Sequence, residues 1–215
     1  MNRRFQTYLL WGSHAPLSTL AGGGLLIMAS SHLAFALVVA GALVWVYELT
    51  AMVVFFAKPF FPQKGKIIVL IFLSSLIGSF YLLLFWLASP FLAMGVSYVI
   101  MLIPGYCIGS DLFGRLNSVD DPPMLREVLL KALLEAAALG IFIIAFALIR
   151  EPLGFMSLSL PGGATGIIQL VEGYDEDSIL PIRVLSTSVG ALLLFGYGMA
   201  IFRNLRNQYH GENRR

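Results

Sequence analysis

Charged residues are scarce in this sequence. Of its 215 residues, 12% are Asp, Glu, Lys or Arg and 58% are apolar, whereas a soluble domain carries about a quarter charged residues. The polar stretches between the apolar runs are too short to form a water-soluble domain of their own. The composition therefore predicts an integral membrane protein with one domain over residues 1–215, and it gives no support to a nucleic-acid or nucleotide role.

Cysteine is nearly absent, because Cys107 is the single thiol of the chain. One cysteine excludes an internal disulfide framework and any metal site built from several cysteines of one chain. The basic start, MNRRF, also lacks a small-residue cleavage site ahead of a polar segment. We therefore expect the first apolar segment to be a retained helix and not a signal peptide.

Long apolar runs take the place of the missing charges. Between Phe5 and Ala57 the ionisable side chains are Tyr8, His14, His32, Tyr47 and Glu48. This run is too long for one span of about 20 residues, so it must fold back once, with a turn between residues 30 and 40. The whole sequence predicts an all-α fold of six transmembrane helices, at about residues 16–34, 37–57, 66–88, 91–109, 128–149 and 183–202.

Basic residues are unevenly distributed over the loops of this arrangement. Only Arg150 and Arg183 fall on one side, together with an acidic cluster at residues 172–177. The other twelve of the 14 Lys and Arg residues fall on the opposite side: Arg3, Arg4, Lys58, Lys64, Lys66, Arg115, Arg126, Lys131, Arg203, Arg206, Arg214 and Arg215. Because basic loops stay in the cytoplasm, this bias predicts that both termini are cytoplasmic.

A proline and a glycine interrupt the fourth span, in the stretch SYVIMLIPGYCIGSDLFGRL at residues 97–116. Pro104 removes a helix donor and Gly105 lowers helical rigidity, so the helix is expected to stop or kink there. Broken membrane helices often mark a binding place. The alternative is a plain proline kink beside an inert, buried Cys107.

Gly22, Gly23 and Gly24 form a second weak point, in the first span. Each glycine lowers helix stability by about 1 kcal/mol relative to alanine. Close helix packing or an unwound segment approached by a cofactor would compensate for this loss. The sequence PGGATG at residues 161–166 resembles a phosphate loop only superficially, because it lacks the lysine and a preceding strand, and we expect a simple loop there.

Two glutamates fall within predicted spans. Glu48 lies roughly 15 Å from either end of its helix, where an ionised carboxylate costs at least ~2.5 kcal/mol. It is a candidate for an ion pathway, with a hydrogen-bonded contact between helices as the alternative. Glu135 follows Lys131 by one turn near a cytoplasmic end, where an ion pair and snorkelling explain it. His14 and His32 lack ligand spacing and are interpreted as structural.

The two halves of the chain have corresponding layouts. The first and fourth spans each carry a weak point, and two further spans follow each of them. Three helices per half would place the halves in opposite orientations, as in an inverted repeat with a shared site near the midplane. The predicted boundaries are residues 14–88 for the first repeat, 89–203 for the second, and 204–215 for a cytoplasmic tail.

Three segments carry a family resemblance: HAPLSTLAGGGLLIMASSHLAFAL, YCIGSDLF, and LGIFIIAFALIREPLGFMSLSLPGG. In these segments the sequence resembles the small six-helix membrane subunits of the Rnf and Nqr electron-transport complexes. The last segment is the best match, since the family has an Arg-Glu pair followed by Leu-Gly at this helix end. Here those residues are Arg150, Glu151, Leu153 and Gly154.

The resemblance implies a cofactor site at the two weak points. Family members place one cysteine in each, and two related subunits together hold a [2Fe–2S] cluster that relays electrons through the membrane. The implied cofactor-binding positions are Cys107, Gly22, Gly23, Gly24, Pro104 and Gly105, with Cys107 as the iron ligand.

The sequence departs from this family pattern in two places. Tyr106 replaces the family's asparagine, and residues 22–25 contain no thiol. A homodimer would offer two thiolates where such a cluster normally takes four ligands. Either a partner subunit supplies more ligands, or the cluster is altered, or it has been lost.

Three functions are compatible with the sequence. The first is a membrane subunit of an Rnf/Nqr-like ion-translocating complex, at most one part of a redox-driven enzyme. The second is a stand-alone small transporter or the substrate-binding membrane subunit of an uptake system. The third is a scaffold subunit without the cofactor. The resemblance implies a multi-pass protein of a bacterial or archaeal cytoplasmic membrane, with other membrane subunits, including a related six-helix paralogue, as partners.

Overall fold

The computed structural model describes residues 20–57, 65–109, 125–162, 166–171, 183–198 and 200. Within these ranges the chain is mostly helical. The helices are α1 (Leu20–Ala29), α2 (Leu33–Ala57), α3 (Lys66–Ala88), α4 (Pro90–Ile100), α5 (Ile103–Gly109), α6 (Leu125–Phe155), α7 (Arg183–Ser186) and α8 (Ser188–Gly198). Strands β1 (Leu158–Pro161) and β2 (Ile167–Val171) form an antiparallel hairpin.

Four helices are long and apolar enough to cross a membrane. They cover 25 residues of α2, 22 residues of α3, 19 residues of the kinked α4–α5 unit, and the 31 residues of α6. Each exceeds or approaches the ~20 residues needed to cross the hydrocarbon core. The helical, membrane-type fold predicted from composition is therefore present. The first and sixth predicted spans lie partly outside the described residues, at residues 16–19 and 201–202.

Helix α2 is the centre of the described fold. It packs against α6, α3, α4, α5, α1 and β1, and 56% of its most apolar window is buried, against 22% for the peripheral α3. Helices α2 and α6 run antiparallel, because successive contacts join Leu33 to Glu151, Ala40 to Gly140, and Tyr47 to Glu135. This helix pair positions every polar group discussed below.

The interruption of the fourth span lies earlier than its proline. Helix α4 ends at Ile100, a turn covers Met101 and Leu102, and α5 begins at Ile103. Pro104 therefore stands in the first turn of α5, where its missing N–H leaves no hydrogen bond unmade. The predicted kink is confirmed, with its position shifted toward the N-terminus.

Helix α6 is longer than the sequence indicated. The predicted span ended near residue 149, but the helix continues to Phe155 and includes Arg150, Glu151 and Pro152. Two adjacent charges followed by proline indicated a loop. Buried hydrogen bonds to these charges, described below, allow the helix to continue.

A β-hairpin replaces part of the loop expected after the fifth span, so the described fold is not purely α-helical. Strand β1 ends at Pro161 and β2 starts at Ile167, with the Gly162 N–H donating to the Gly166 carbonyl at 2.9 Å. Gly166 has φ +81°, and a Cβ there would lie 2.8 Å from the Ser89 hydroxyl, so only glycine fits at this approach to α4. A strand therefore does precede these glycines, and the expectation that none would is wrong; the segment still lacks the lysine of a phosphate loop, and residues 163–165 lie outside the described residues.

Candidate functional site

Arg150 is buried near the C-terminal end of α6 with all five of its N–H donors in hydrogen bonds. Nη1 donates to the Ile27 carbonyl at 3.0 Å and to the Ser30 hydroxyl at 3.1 Å, at the end of α1. Nε donates to the Leu185 carbonyl at 2.9 Å, and Nη2 donates to the next two carbonyls, each at 3.0 Å, at the break between α7 and α8. Carbonyls at a helix end carry partial negative charge, so one guanidinium holds two such ends against α6.

Glu151, the next residue, faces the start of α2. Its Oε2 accepts the Leu33 N–H at 2.7 Å and its Oε1 lies 3.3 Å from His32 Nδ1, while the side chain is fully buried. The Ala34 N–H donates to the Ser159 hydroxyl of β1 at 3.4 Å. The first N–H groups of α2 therefore obtain acceptors from distant parts of the chain, including a carboxylate that suits the positive end of a helix.

His32 has the structural role predicted for it. It lies in the turn between α1 and α2, beside Glu151, and its ring packs 4.9 Å from the Phe155 ring and 5.4 Å from the Phe35 ring, centre to centre. We call Arg150, Glu151, His32 and Ser30 the polar node. It joins α1, α2, α6 and the α7–α8 break at one level of the fold.

A second polar cluster lies deeper, between α2, α5 and α6. The Tyr47 hydroxyl donates to Glu135 Oε2 at 2.6 Å, and the Tyr47 ring lies 5.6 Å from the Tyr106 ring. Glu135 is 8% exposed, so it is a core residue and the snorkelling surface acid predicted from its spacing to Lys131 is wrong. No local signal in the sequence indicates this contact, because its partners are 88 residues apart.

Cys107 belongs to the same core as this cluster. Its side chain is 1% exposed and follows Tyr106 directly on α5. Helix α5 packs against α1, which carries Gly22, Gly23 and Gly24. The helices that carry the two weak points therefore pack against each other, and the thiol is buried in the described core.

The glycines of α1 are helical and are not part of an unwound segment. Gly22 is buried, but a Cβ added at Gly23 or Gly24 would meet no described atom within 4 Å. The same holds for Gly105 on α5, whereas Pro104 is buried. Close packing inside the described chain therefore does not explain Gly23, Gly24 or Gly105.

Glu48 lies about 100° around α2 from Tyr47, in a groove between α2 and α6. The groove has a volume of about 670 Å³ and is otherwise apolar, with Leu37, Trp45 and Ile141 among its lining residues. Glu48 Oε2 is buried, and no described group forms a hydrogen bond with it. A polar atom left in this state costs ~1–3 kcal/mol, so it is the one clear imbalance among the described buried side chains.

The cluster implied by the family resemblance does not fit the described residues as they stand. Cys107 is the single thiol of the chain, and the described ranges contain no group of three or more His, Cys, Asp or Glu able to hold a metal ion. The sulfur is buried against residues of this chain. The shared cluster therefore stays a prediction, in which Cys107 would supply one ligand and partner subunits the others.

The fold and the sites define a mostly helical protein with four helices long and apolar enough to span a membrane, tied together by buried polar groups. Comparison with known proteins finds no family model and no curated protein that match this chain. The family assignment made from the sequence therefore stays a prediction.

Proposed function

We propose that this chain is a membrane subunit of an Rnf/Nqr-like ion-translocating electron-transport complex, in which it serves as part of the membrane scaffold. The observation that carries the proposal is the polar node. Arg150 and Glu151, which provide the best part of the family resemblance, are 2% and 0% exposed and hold three separate parts of the fold. The charged pair of the resemblance thus consists of residues that the fold needs, while Leu153 of the same segment is exposed.

The scaffold role is favoured over an electron-relay role by the state of Cys107. A relay through this subunit would need a cluster with about four ligands, and the sequence offers Cys107 alone, with no thiol at residues 22–25, where the family has its other cysteine. On this proposal the redox groups reside in other subunits, a related six-helix paralogue among them, and this chain is at most one part of a redox-driven translocase.

The proposal includes six spans and cytoplasmic termini. Four spans lie within the described residues, and the proposal adds the shorter apolar helices α1 and α8 as parts of the first and sixth spans. Arg150 is buried within α6, so it is not a loop charge, and the basic bias toward one side is stronger than a count of residues indicates. Of the two helix breaks expected for an inverted repeat, the described residues contain the second, at Met101 and Leu102, whereas α1 is continuous through Gly22, Gly23 and Gly24.

Purification of the tagged chain from its native membrane in mild detergent tests the proposal. We expect flavin-carrying and iron–sulfur subunits to co-purify, with unchanged iron content after Cys107→Ser. Loss of iron in that variant would show that the cluster is bound by this subunit. A chain that purifies alone, free of flavin and iron, would contradict the proposal.

A small transporter is the second candidate, and Glu48 is the observation that favours it. An unpartnered carboxylate inside a membrane helix is a default candidate for a substrate or ion pathway. In this case Glu48→Gln should abolish uptake or proton coupling in vesicles that contain the purified chain alone. Unchanged transport in that variant, or no transport by the unmodified chain, would eliminate this candidate.

A further inference from the structure

The groove between α2 and α6 has the shape and polarity of a docking site for a helix. It follows α2 from Leu37 to Glu48, a length of about 16 Å at 1.5 Å per residue. Small residues, Gly41 and Gly140, form part of its lining, and the rims carry Trp45 and Ile141, which are 41% and 66% exposed. Both glycines allow close packing inside this chain, because a Cβ at Gly140 would lie 3.2 Å from the Ala40 side chain and one at Gly41 would lie 3.3 Å from the Tyr81 hydroxyl, and this close packing shapes the groove.

Glu48 decides what kind of occupant the groove requires. Its Oε2 is buried without a hydrogen-bond donor in the described part of the chain. Lipid tails are apolar and offer no donor, so lipid filling the groove would leave the carboxylate in the same unfavourable state. The occupant must therefore combine an apolar body with one hydrogen-bond donor at the level of Glu48.

A second copy of this chain meets that requirement poorly. Two copies related by a two-fold axis through the groove would place Glu48 against Glu48, and two ionised carboxylates repel each other. A compact ligand would use only part of a groove that follows three turns of α2. A helix from a different subunit satisfies both the length and the polarity.

We propose that the α2–α6 groove binds a transmembrane helix of another subunit, and that this helix presents one hydrogen-bond-donating or cationic side chain to Glu48. The inference rests on the proposed function, because it names the partner that a scaffold subunit would hold. The groove explains why a carboxylate is kept on an otherwise apolar surface: it fixes the register of the docked helix, and it disfavours helices without a donor.

Site-specific photocrosslinking in the native membrane tests this proposal. Ile141→p-benzoylphenylalanine places the probe at the rim of the groove, and Leu83→p-benzoylphenylalanine places the same probe on the exposed face of α3, with 58% exposure as the matched control. We expect one discrete protein adduct from position 141 and lipid adducts only from position 83. Peptide mapping of the adduct should locate an apolar span with a donor side chain.

Variants at Glu48 separate docking from chance proximity. Glu48→Leu should lower the yield of the adduct about tenfold, which is the effect of losing one charge-assisted hydrogen bond, while Glu48→Gln should retain most of it. Equal thermal stability of the detergent-purified variants excludes a folding defect as the cause. An adduct whose yield is unaffected by Glu48→Leu overturns the proposal.

The other outcomes also overturn it. These are lipid adducts alone at position 141, an adduct with a second copy, a crosslink to this chain's own residues 1–19 or 201–215, and an adduct with a small co-purified amine. Failure of the two proposals can be told apart. A helix crosslinked at position 141 in a complex that lacks flavin and iron would support the groove proposal and contradict the proposed redox function. Redox subunits that co-purify with the chain, while position 141 yields lipid adducts only, would support the redox function and contradict the groove proposal.

Discussion

Glu151 and Glu48 belong to the same pair of helices, yet their surroundings differ completely. Glu151 is fully buried and accepts the Leu33 N–H at 2.7 Å, beside His32. Glu48 has a buried oxygen with no donor among the described residues, in an apolar groove open to the outside of the fold. A satisfied carboxylate stabilises the fold that contains it, whereas an unsatisfied one indicates that something else completes it.

Tyr47 and Glu48 show the same contrast on adjacent residues of α2. Tyr47 points into the core and donates to Glu135, while Glu48 faces the groove. The two side chains therefore have different surroundings, one in the core of this chain and the other in the groove. Each prediction below concerns a substitution at one member of a contrast and a comparison substitution at a matched position. The measured quantity is the stability of the detergent-purified chain, from thermal unfolding.

The largest effect is expected from Arg150→Ala. It removes five hydrogen bonds and frees two helix ends, so we expect a loss of ~3–5 kcal/mol, enough to prevent accumulation of folded protein. Arg126→Ala, at an exposed position near the start of α6, should change stability by less than ~0.5 kcal/mol. Equal stability of the two variants would show that the polar node is not the main polar contribution to the stability of the fold.

Glu151→Ala should cost less, ~2 kcal/mol, because it leaves the Leu33 N–H without an acceptor at the start of α2. Glu151→Gln retains an acceptor oxygen and should recover about half of that loss. The matched control is Glu127→Ala, at an exposed position in the first turn of α6. A loss in the control as large as in Glu151→Ala would show that burial is not the cause.

Tyr47→Phe removes only one donor from Glu135 and should destabilise the chain by ~1.5–3 kcal/mol, because the remaining carboxylate is buried. Tyr81→Phe is the comparison, since the Tyr81 hydroxyl donates to the Val38 carbonyl at 3.3 Å in a partly buried site. Its loss should be ~0.5–1 kcal/mol. A larger effect at Tyr81 would reverse the ranking of the two contacts.

The smallest effect is expected at Glu48. For the isolated chain, Glu48→Leu removes an acceptor that has no described partner, so stability should stay within ~0.5 kcal/mol or rise. Glu135→Leu removes the acceptor for Tyr47 and should be destabilising by ~1–3 kcal/mol. A loss for Glu48→Leu equal to that of Glu135→Leu would mean that Glu48 is already satisfied within the chain.

Local signals in the sequence predicted several elements well. The third span was expected to end at Ser89 and Pro90, and α3 ends at Ala88 with Pro90 opening α4. The turn expected between residues 30 and 40 is found at residues 30–32, with α2 beginning at Leu33. Proline position and an apolar run are properties of a few adjacent residues, so no knowledge of the fold is needed to interpret them.

Local sequence signals gave wrong predictions where a contact with a distant residue determines the position of a side chain. Arg150 and Glu151 were expected to end α6, and Glu135 was expected at the surface. The sequence could locate these charges in or beside apolar segments, which made them candidates for special roles, but it could not supply their partners. Glu48 was selected because it lies far from both helix ends, whereas Lys131, one turn before Glu135, indicated a surface position that the burial of Glu135 contradicts.

By itself the sequence determined that this is an apolar, mostly helical chain with spans long enough for a membrane, because hydropathy adds up along consecutive residues. Only the tertiary structure decided which charges are satisfied. The Tyr47–Glu135 and Leu33–Glu151 hydrogen bonds join residues 88 and 118 positions apart, and a hydrogen bond forms only when donor and acceptor meet within about 3 Å. The antiparallel packing of α2 on α6 brings these groups together and leaves Glu48 on the open face.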